Sequence, residues 1–119
     1  MSEINAWWHQ EYDYIDRISK ESKNSQLAWF ELSKRYIALS LEEQREVDSI
    51  LVEWLKSDDA CRRSDAVWLI REHKIIASKK ALEELCVRLK DCKIPDDPQG
   101  YHEREHVIEV LKKLGENQN

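Results

Sequence analysis

Five residues near the C-terminus, HEREH at 102–106, have types and a spacing suited to hydrolytic chemistry. The string satisfies H-E-x-x-H, in which two histidines bind zinc and the glutamate between them acts as a general base. On a helix, His102 and His106 lie on one face, so both imidazoles can reach one metal ion. The motif is short, so the surrounding sequence has to decide whether it is a metal site.

The surroundings of HEREH argue against a catalytic zinc centre. Its two variable positions are charged, Arg104 and Glu105, and the string begins a helix directly after a loop that contains proline and glycine. A catalytic site needs a third protein ligand and an open position. None of the 13 residues after His106 is a histidine, although Glu109 lies one turn further along the helix. We therefore expect no catalytic residue, no cofactor and no metal, and keep a zinc hydrolase that uses His102 and His106 as the alternative interpretation.

Other chemical signatures are missing from the sequence. The three cysteines, Cys61, Cys86 and Cys92, are odd in number and form no C-x-x-C pair, which argues against a disulfide framework or a cysteine zinc site. Two glycines cannot build a phosphate-binding loop. The first residues do not resemble a signal peptide, and no apolar run reaches membrane-spanning length. A reducing cytoplasm, without membrane contact, is the expected location.

The elements that must position any site are helices. A chain of 119 residues with only 2 glycines and 2 prolines has too little turn punctuation for a sandwich or a series of hairpins. Hydrophobic residues, 41% of the chain, recur at helical spacing almost throughout. The pattern predicts six helices, at about 3–21, 26–39, 41–56, 61–74, 79–89 and 101–114.

The spacing also predicts which side of each helix faces the core. The strongest pattern is in the third helix, where apolar residues follow i, i+3, i+4, i+7 and i+8. The residues expected to point inward are Ile4, Trp8, Tyr12, Ile15 and Ile18; Leu27, Phe30, Tyr36 and Ile37; Val47, Ile50, Leu51, Trp54 and Leu55; Ala66, Val67, Leu69 and Ile70; Leu82, Leu85, Cys86 and Leu89; and Val107, Val110, Leu111 and Leu114.

Helix ends are predicted from capping residues. Ser40 and Glu43 have the spacing of a capping box at the start of the third helix. Residues 57–59 are expected to end that helix and cap the fourth, and Ser78 is expected to cap the fifth. Residues 91–100 are expected to form a loop, because two prolines and a glycine there break any helix.

A faint internal repeat links the fourth and sixth helices. The segments RRSDAVWLIREH and REHVIEVLKKLG superpose at an offset of 41 residues. Three pairs of predicted core positions then coincide, which are Ala66 with Val107, Leu69 with Val110, and Ile70 with Leu111. A period near 40 with two helices per unit is typical of stacked helical hairpins.

This repeat resembles the HEAT-like repeat family. The stretch DDACRRSDAVWLIREHKIIASKKALEELCVRLKD followed by EREHVIEVLKKLG carries the likeness, and Asp59, Arg63, Asp65 and Arg104 match the Asp and Arg that often mark the outer helix. The resemblance covers about 26–114. It implies an α-solenoid whose inner helices line a concave protein-binding face, and it implies no reaction.

We therefore predict an all-α fold of about six helices stacked as antiparallel hairpins in a HEAT-like α-solenoid. Residues 1–119 are expected to form one domain. An N-terminal helix covers 1–22, the HEAT-like hairpins cover 26–114, and 115–119 form a frayed tail.

The charge of the chain points to a protein partner. Residues 1–60 hold 13 acidic and 7 basic side chains, whereas residues 61–119 hold 11 and 12. An acidic half of this kind repels phosphate, so nucleic acid is not an expected partner, and a basic protein is. The predicted contacts are the acidic Glu42, Glu46, Glu53, Asp58 and Asp59 and the aromatic Trp7, Trp8 and Tyr12. Ordinary solvation of the acidic face and core packing of the aromatic residues remain open alternatives.

A small, acidic helical domain resembles many bacterial immunity proteins. That resemblance implies a function: binding a cognate basic toxin domain, often a nuclease, and covering its active site. The chain is expected to be a monomer within this hetero-complex. A HEAT-like adaptor or assembly protein is the alternative that uses the same surface without a toxin.

Overall fold

The protein is built from α-helices. The computed structural model describes residues 3–92 and 96–116, and across these ranges the chain forms six α-helices, one short 3₁₀ helix and no strand. The helices are α1 (Glu3–Ser22), α2 (Ser25–Ile37), α3 (Leu41–Leu55), α4 (Ala60–His73), α5 (Lys79–Arg88) and α6 (Pro98–Glu116), with the 3₁₀ helix at Ile76–Ser78. The all-α class is confirmed. Of the predicted tail, residues 117–119 lie outside the described residues, and 115–116 still belong to α6.

Internal contacts divide the chain into two compact units, Met1–Ile50 and Leu51–Asn119, and the division falls within α3. The expectation of one domain over 1–119 stays a prediction. None of the helices in the described ranges is both long enough and apolar enough to cross a membrane.

In the first unit, α1 packs against α2. The turn between them is only two residues long and is closed by buried Ser19, whose hydroxyl donates to the Asn24 carbonyl at 2.7 Å. Asn24 also caps α2, because its side chain accepts from the backbone N–H of Gln26 at 3.1 Å. Further along the pair, Arg35 donates to Glu11 at 2.8 Å. A local cap and one inter-helix ion pair therefore fix how α2 lies on α1.

The core face of α2 differs from the predicted one. Ala28, Leu32 and Tyr36 are buried, whereas Phe30 and Ile37, predicted to point inward, are 56% and 67% exposed. Residues at i, i+4 and i+8 share a helix face, and Phe30 is rotated about 200° from Leu32. The prediction for Phe30 and Ile37 was wrong because the buried stripe of α2 follows Ala28, Leu32 and Tyr36, and small Ala28 was not recognised as a core residue.

The prediction for α3 is confirmed in detail. All five residues of its apolar stripe are buried, namely Val47, Ile50, Leu51, Trp54 and Leu55. Its start is a capping box, in which the Glu43 N–H donates to the Ser40 hydroxyl at 3.2 Å and the Ser40 N–H donates to the Glu43 carboxylate at 2.9 Å. The two reciprocal bonds satisfy backbone donors that the helix itself leaves without acceptors.

In the second unit, α6 packs against both α4 and α5. Asp59 caps α4, accepting from the N–H groups of Cys61 at 2.9 Å and Arg62 at 3.4 Å. Two pairs of apolar residues at an offset of 41 are buried in both helices, Ala66 with Val107 and Leu69 with Val110. In two further pairs the α4 residue, Val67 or Ile70, is buried and its α6 partner, Ile108 or Leu111, is half-buried. The two pairs that are buried in both helices thus serve the same packing role in each.

Ser78 lies at the N-cap position of α5, as predicted, but its side chain makes no capping hydrogen bond to that helix. It lies in the 3₁₀ helix, fully buried, and its hydroxyl donates backwards to the Ile75 carbonyl at 2.7 Å. A serine hydroxyl can satisfy either a preceding carbonyl or a following N–H. In the 3₁₀ turn, the Ser78 hydroxyl bonds to the preceding Ile75 carbonyl and not to a following N–H.

The start of α6 also corrects the prediction of a loop over 91–100, of which 93–95, including Pro95, lie outside the described residues. Pro98 begins the helix instead of breaking it, which is the one helical position that suits proline. The Asp97 side chain accepts from the Gly100 N–H at 2.9 Å, and this bond lowers the pKa of Asp97. Gly100 is buried in the first turn.

Replacing Gly100 with alanine is expected to destabilise the protein by about 1 kcal/mol, as crowding outweighs the gain in helix propensity. A Cβ there would lie 2.5 Å from Cys92 Sγ and 2.7 Å from Asp97 Oδ2. Urea denaturation measures the change. Gly115→Ala is the matched control, since its Cβ meets nothing within 4 Å, and it should not lower stability. Equal stabilities of Gly100→Ala and the unmodified chain would contradict the crowding argument.

Candidate functional site

The glutamate of HEREH is held in a bidentate ion pair. Glu103, on α6, accepts from Arg63 Nε at 2.7 Å and from Arg63 Nη2 at 3.0 Å, and Arg63 lies on α4. The third arm of the guanidinium donates to the Ser57 carbonyl at 2.9 Å. Arg63 is only 9% exposed, and its bond to Glu103 raises the pKa of Arg63. Both oxygens of Glu103 therefore hold α6 against α4, and neither is left as a general base.

The two histidines of HEREH have different surroundings. His102 is exposed and lies edge-on to the Tyr101 ring, with centroids 5.6 Å apart. His106 is half-buried, and burial, followed by the charge of Arg71, lowers the pKa of His106. Glu109, the possible third ligand, lies 3.6 Å from Arg71.

The chemistry of this donor set does not favour a metal ion. Lys113 lies 3.7 Å from the same Glu109 oxygen that Arg71 approaches, so this carboxylate already has two cations beside it. Within residues 3–92 and 96–116, no group of three His, Cys, Asp or Glu side chains could hold a metal ion.

The five acidic residues predicted as partner contacts are all exposed. Glu42, Glu46 and Glu53 follow one side of α3, and this set is called the acidic row. Glu53 lies 3.5 Å from Lys56, and the fully exposed Asp58 lies 3.5 Å from Arg88. Glu42 and Glu46 have no ion pair with any other described residue.

Other acidic residues near α3 have local structural roles. Glu43 completes the capping box and Asp59 caps α4. Asp48 accepts a hydrogen bond from the buried hydroxyl of Tyr36 at 2.8 Å, while the Tyr36 carbonyl accepts from Gln44 at 3.0 Å. Glu42 and Glu46 are thus the carboxylates of this helix that no local contact explains.

Replacing Tyr36 with phenylalanine is expected to change how stability depends on alkaline pH. Burial, and then the Asp48 carboxylate, raise the pKa of Tyr36. The folded protein keeps the phenol proton above about pH 10, where the unfolded chain releases it, so this contribution is complete below about pH 10 and is lost as pH rises. Urea denaturation from about pH 8 to 11 should show a steeper loss in the unmodified chain, by up to about 1.4 kcal/mol per pH unit.

The control for this experiment is Tyr14→Phe, because Tyr14 is 46% exposed. The stability of Tyr14→Phe should depend on pH in the same way as that of the unmodified chain. Parallel profiles for Tyr36→Phe and the unmodified chain would contradict the assigned role of the Tyr36–Asp48 bond.

Two of the aromatic residues predicted as partner contacts are core residues. Trp8 is 0% exposed and Tyr12 is buried. A buried ring offers no surface to a partner, so the prediction for Trp8 and Tyr12 is corrected: they form the face of α1 that packs inward. Trp7 is half-buried, with its ring 6.2 Å from that of Trp8, and its contact with a partner stays a prediction.

Sequence reasoning did not predict three exposed apolar side chains of the first unit. Leu41, the first residue of α3, is 74% exposed, and Ile37 and Phe30 of α2 are also exposed. One signal was available for Leu41: it directly follows the cap Ser40 and lies outside the apolar stripe of α3.

The three cysteines are free thiols. Cys61 is exposed in the first turn of α4, and Cys86 and Cys92 are half-buried. Burial raises the pKa of Cys86, and burial together with the Asp97 carboxylate raises the pKa of Cys92. The surroundings of Cys86 and Cys92 therefore do not activate those two thiols for catalysis.

Comparison of the chain with protein-family models, with curated proteins and with solved structures found no match in any of the three. The function proposed below therefore rests on the residues that the structure describes.

Proposed function

We propose that the chain is a non-catalytic protein-binding domain, and that it acts as an immunity protein that covers the active site of a basic bacterial toxin domain. The observation that carries the proposal is the exposed acidic row, in which Glu42 and Glu46 form no ion pair with any other residue that the structure describes. Glu42 lies in the first turn of α3, where its charge complements the helix dipole, and both carboxylates face solvent, where they can attract a positively charged surface. A basic protein is the partner that their charge fits best.

The mechanism is electrostatic steering followed by close contact. An acidic patch raises the association rate of a basic partner, and salt screens the attraction over about 10 Å at ordinary ionic strength. The net charge of −6 over residues 1–60 extends this field beyond the acidic row. Association should therefore be fast at low salt and should slow as salt is raised.

We also propose that the helix pairs are HEAT-like hairpins. The support is that two pairs of α4 and α6 residues at an offset of 41 are both buried, Ala66 with Val107 and Leu69 with Val110. In such repeats, equivalent positions form one continuous core and the opposite side chains are left for binding.

Structural roles of basic side chains argue against a nucleic-acid partner. Arg63 is committed to Glu103, Arg71 lies 3.6 Å from Glu109, and Arg62 lies over the Trp54 ring at 5.5 Å. A phosphate-binding face needs cations that are available to the ligand. The zinc hydrolase is likewise not favoured, because Glu103 is occupied.

The test is affinity purification of the tagged chain from its native host at low salt, with mass spectrometry of the co-purified proteins and zinc analysis of the same sample. We expect a basic polypeptide that elutes when salt is raised, that arrests growth when expressed alone, and that this chain neutralises. A partner that is not toxic, or a chain that carries one zinc and no partner, would overturn the proposal.

The contact itself is tested with the purified partner by charge reversal in the acidic row. Glu42→Lys/Glu46→Lys/Glu53→Lys should weaken binding at least tenfold at low salt, and the difference should shrink at high salt.

The matched control reverses three exposed acidic residues on α1, Glu3, Asp13 and Glu21, and so changes the net charge by the same amount. Equal losses of affinity in both triple variants would show that net charge, and not the acidic row, governs binding.

A further inference from the structure

Arg45 is the single basic residue of α3, and it lies beside the acidic row. It follows Glu42 by three positions and directly precedes Glu46, and all three side chains are exposed. On a helix, three positions leave two side chains about 60° apart around the axis, and one position leaves them about 100° apart. Arg45 therefore borders the acidic row on one flank, on a helix whose other charged residues are all acidic.

No contact inside the chain explains the guanidinium of Arg45. Its side chain makes no hydrogen bond, ion pair or ring contact with another described residue, and the bond from the Ser49 hydroxyl at 3.3 Å goes to its backbone carbonyl. The chain has eight arginines. The other seven each interact with a carboxylate, a carbonyl or an aromatic ring of the described residues, and they are Arg17, Arg35, Arg62, Arg63, Arg71, Arg88 and Arg104.

The stability of α3 does not explain Arg45 either. A cation stabilises the C-terminal end of a helix, where it complements the helix dipole, whereas Arg45 is the fifth residue of α3. Glu42 and Arg45 have the i, i+3 spacing at which an ion pair can form, yet they form none. Its position beside two exposed carboxylates is thus the feature that needs a reason.

An exposed guanidinium beside an acidic row has a clear use in recognition. Its planar fork of N–H donors pairs with a carboxylate through two parallel hydrogen bonds, and arginine is enriched among the residues that carry binding energy in interfaces. Specificity also needs an element that repels the wrong partner. Arg45 repels a surface that is only positive, and it attracts one in which a carboxylate stands among the cations.

We propose that Arg45 is the specificity-determining residue of the acidic row, and that it selects, among basic protein surfaces, one that carries a carboxylate beside its lysines or arginines. The inference rests on the proposed function, which supplies the basic partner, and adds the charge pattern that this partner must present. Glu42 and Glu46 attract the partner. Arg45 rejects surfaces whose positive charge is unbroken.

A carboxylate fits this position better than a phosphate group does. A phosphorylated side chain carries a charge of about −1.5 to −2 at neutral pH, compared with −1 for a carboxylate. The exposed carboxylates of Glu42 and Glu46 lie on either side of Arg45 in the sequence, and they repel the larger negative charge more strongly.

The test is selection of phage-displayed peptides on the immobilised full-length chain at low salt. The library is an alanine-based helix of about 18 residues, whose exposed positions are drawn from lysine, glutamate and serine. We expect the unmodified chain to enrich peptides that combine several lysines with a glutamate. Arg45→Glu should still enrich lysine but should select against glutamate, and Arg45→Gln should enrich lysine without a preference for glutamate.

The matched control is Lys80→Glu, which changes the net charge by the same amount as Arg45→Glu at an exposed residue of α5. It should select the same peptides as the unmodified chain. A selected peptide is then titrated into each chain. Arg45→Glu should weaken its binding about tenfold at low salt, and replacing the glutamate of the peptide with lysine should restore most of the affinity. Circular dichroism checks that each variant keeps its helices.

The outcomes distinguish this inference from the proposed function. If lysine is enriched but the frequency of glutamate is the same for the unmodified chain and Arg45→Glu, the role of Arg45 is wrong and the basic partner stands. If the unmodified chain does not enrich lysine, the basic partner itself is wrong and the inference falls with it. Tighter binding of a peptide with phosphoserine in place of the glutamate would overturn the choice of a carboxylate.

Discussion

Replacing Glu103 with alanine is expected to lower the free energy of unfolding by about 3–5 kcal/mol, because it leaves a buried arginine without its counter-ion. The side chain of Arg63 is 11% exposed and that of Glu103 is 16% exposed, so little water can replace the lost carboxylate. Urea or guanidinium denaturation followed by circular dichroism measures the loss. A loss of this size would identify HEREH as a string whose glutamate is structural.

Three further variants make this prediction specific. Glu105→Ala removes an exposed neighbour that lies 3.6 Å from Arg104, and should change stability by less than about 0.5 kcal/mol. Glu103→Gln keeps the shape of the side chain without its charge, and its loss of stability should fall between those of Glu103→Ala and Glu105→Ala. Arg63→Met/Glu103→Leu removes both charges and should recover most of the loss. A Glu103→Ala variant as stable as Glu105→Ala would contradict the ion-pair role.

Replacing Trp8 with alanine is expected to cost about 3–5 kcal/mol of stability, as large core truncations do. The indole is 0% exposed, so its removal leaves a cavity in the core. Trp7→Ala is the matched control one residue away. Trp7 is half-buried and contacts the Trp8 ring, so its loss should cost about 1 kcal/mol.

The same pair of variants tests the correction of Trp8 from partner contact to core residue. Denaturation gives stability, and affinity for the co-purified partner is measured at a temperature where both variants are folded. We expect Trp8→Ala to bind normally once folded. Unchanged stability with lost affinity in Trp8→Ala would instead restore Trp8 as a partner contact.

The parts of the fold that sequence predicted best are those with local causes. The apolar stripe of α3 is long and regular, and all of its members are buried. The Ser40–Glu43 capping box joins residues three positions apart, so its geometry follows from spacing alone. Asp59 as the cap of α4 is a case of the same kind.

Predictions failed for a residue whose side chain can bond to either of two backbone groups. They also failed for residues whose burial depends on how the neighbouring helix packs. Ser78 can serve a carbonyl or an N–H, and the 3₁₀ turn selects the carbonyl. Proline breaks a helix in most positions but is favoured at the first residue of a helix, where Pro98 lies in α6. Phe30 and Ile37 were expected inside because they are large and apolar, whereas the buried stripe of α2 contains small Ala28 with Leu32 and Tyr36.

The candidate site was predictable only in its exposed part. The acidic row follows from helical spacing, and exposure of its members agrees with that spacing. The role of Glu103 depends on Arg63, which is 40 residues away, and no local pattern links the two. Whether Glu103 is a base or a structural residue is therefore decided by the packing of α4 against α6.

The uneven surroundings of the three thiols make the chain suitable for site-selective labelling. Thiolates react with maleimides, and the raised pKa values of Cys86 and Cys92 keep those two protonated at neutral pH. Exposed Cys61 lies two positions after Asp59 and close in sequence to Asp58. A fluorophore attached there would report the arrival of a cationic protein through a change in its emission, without any substitution in the chain.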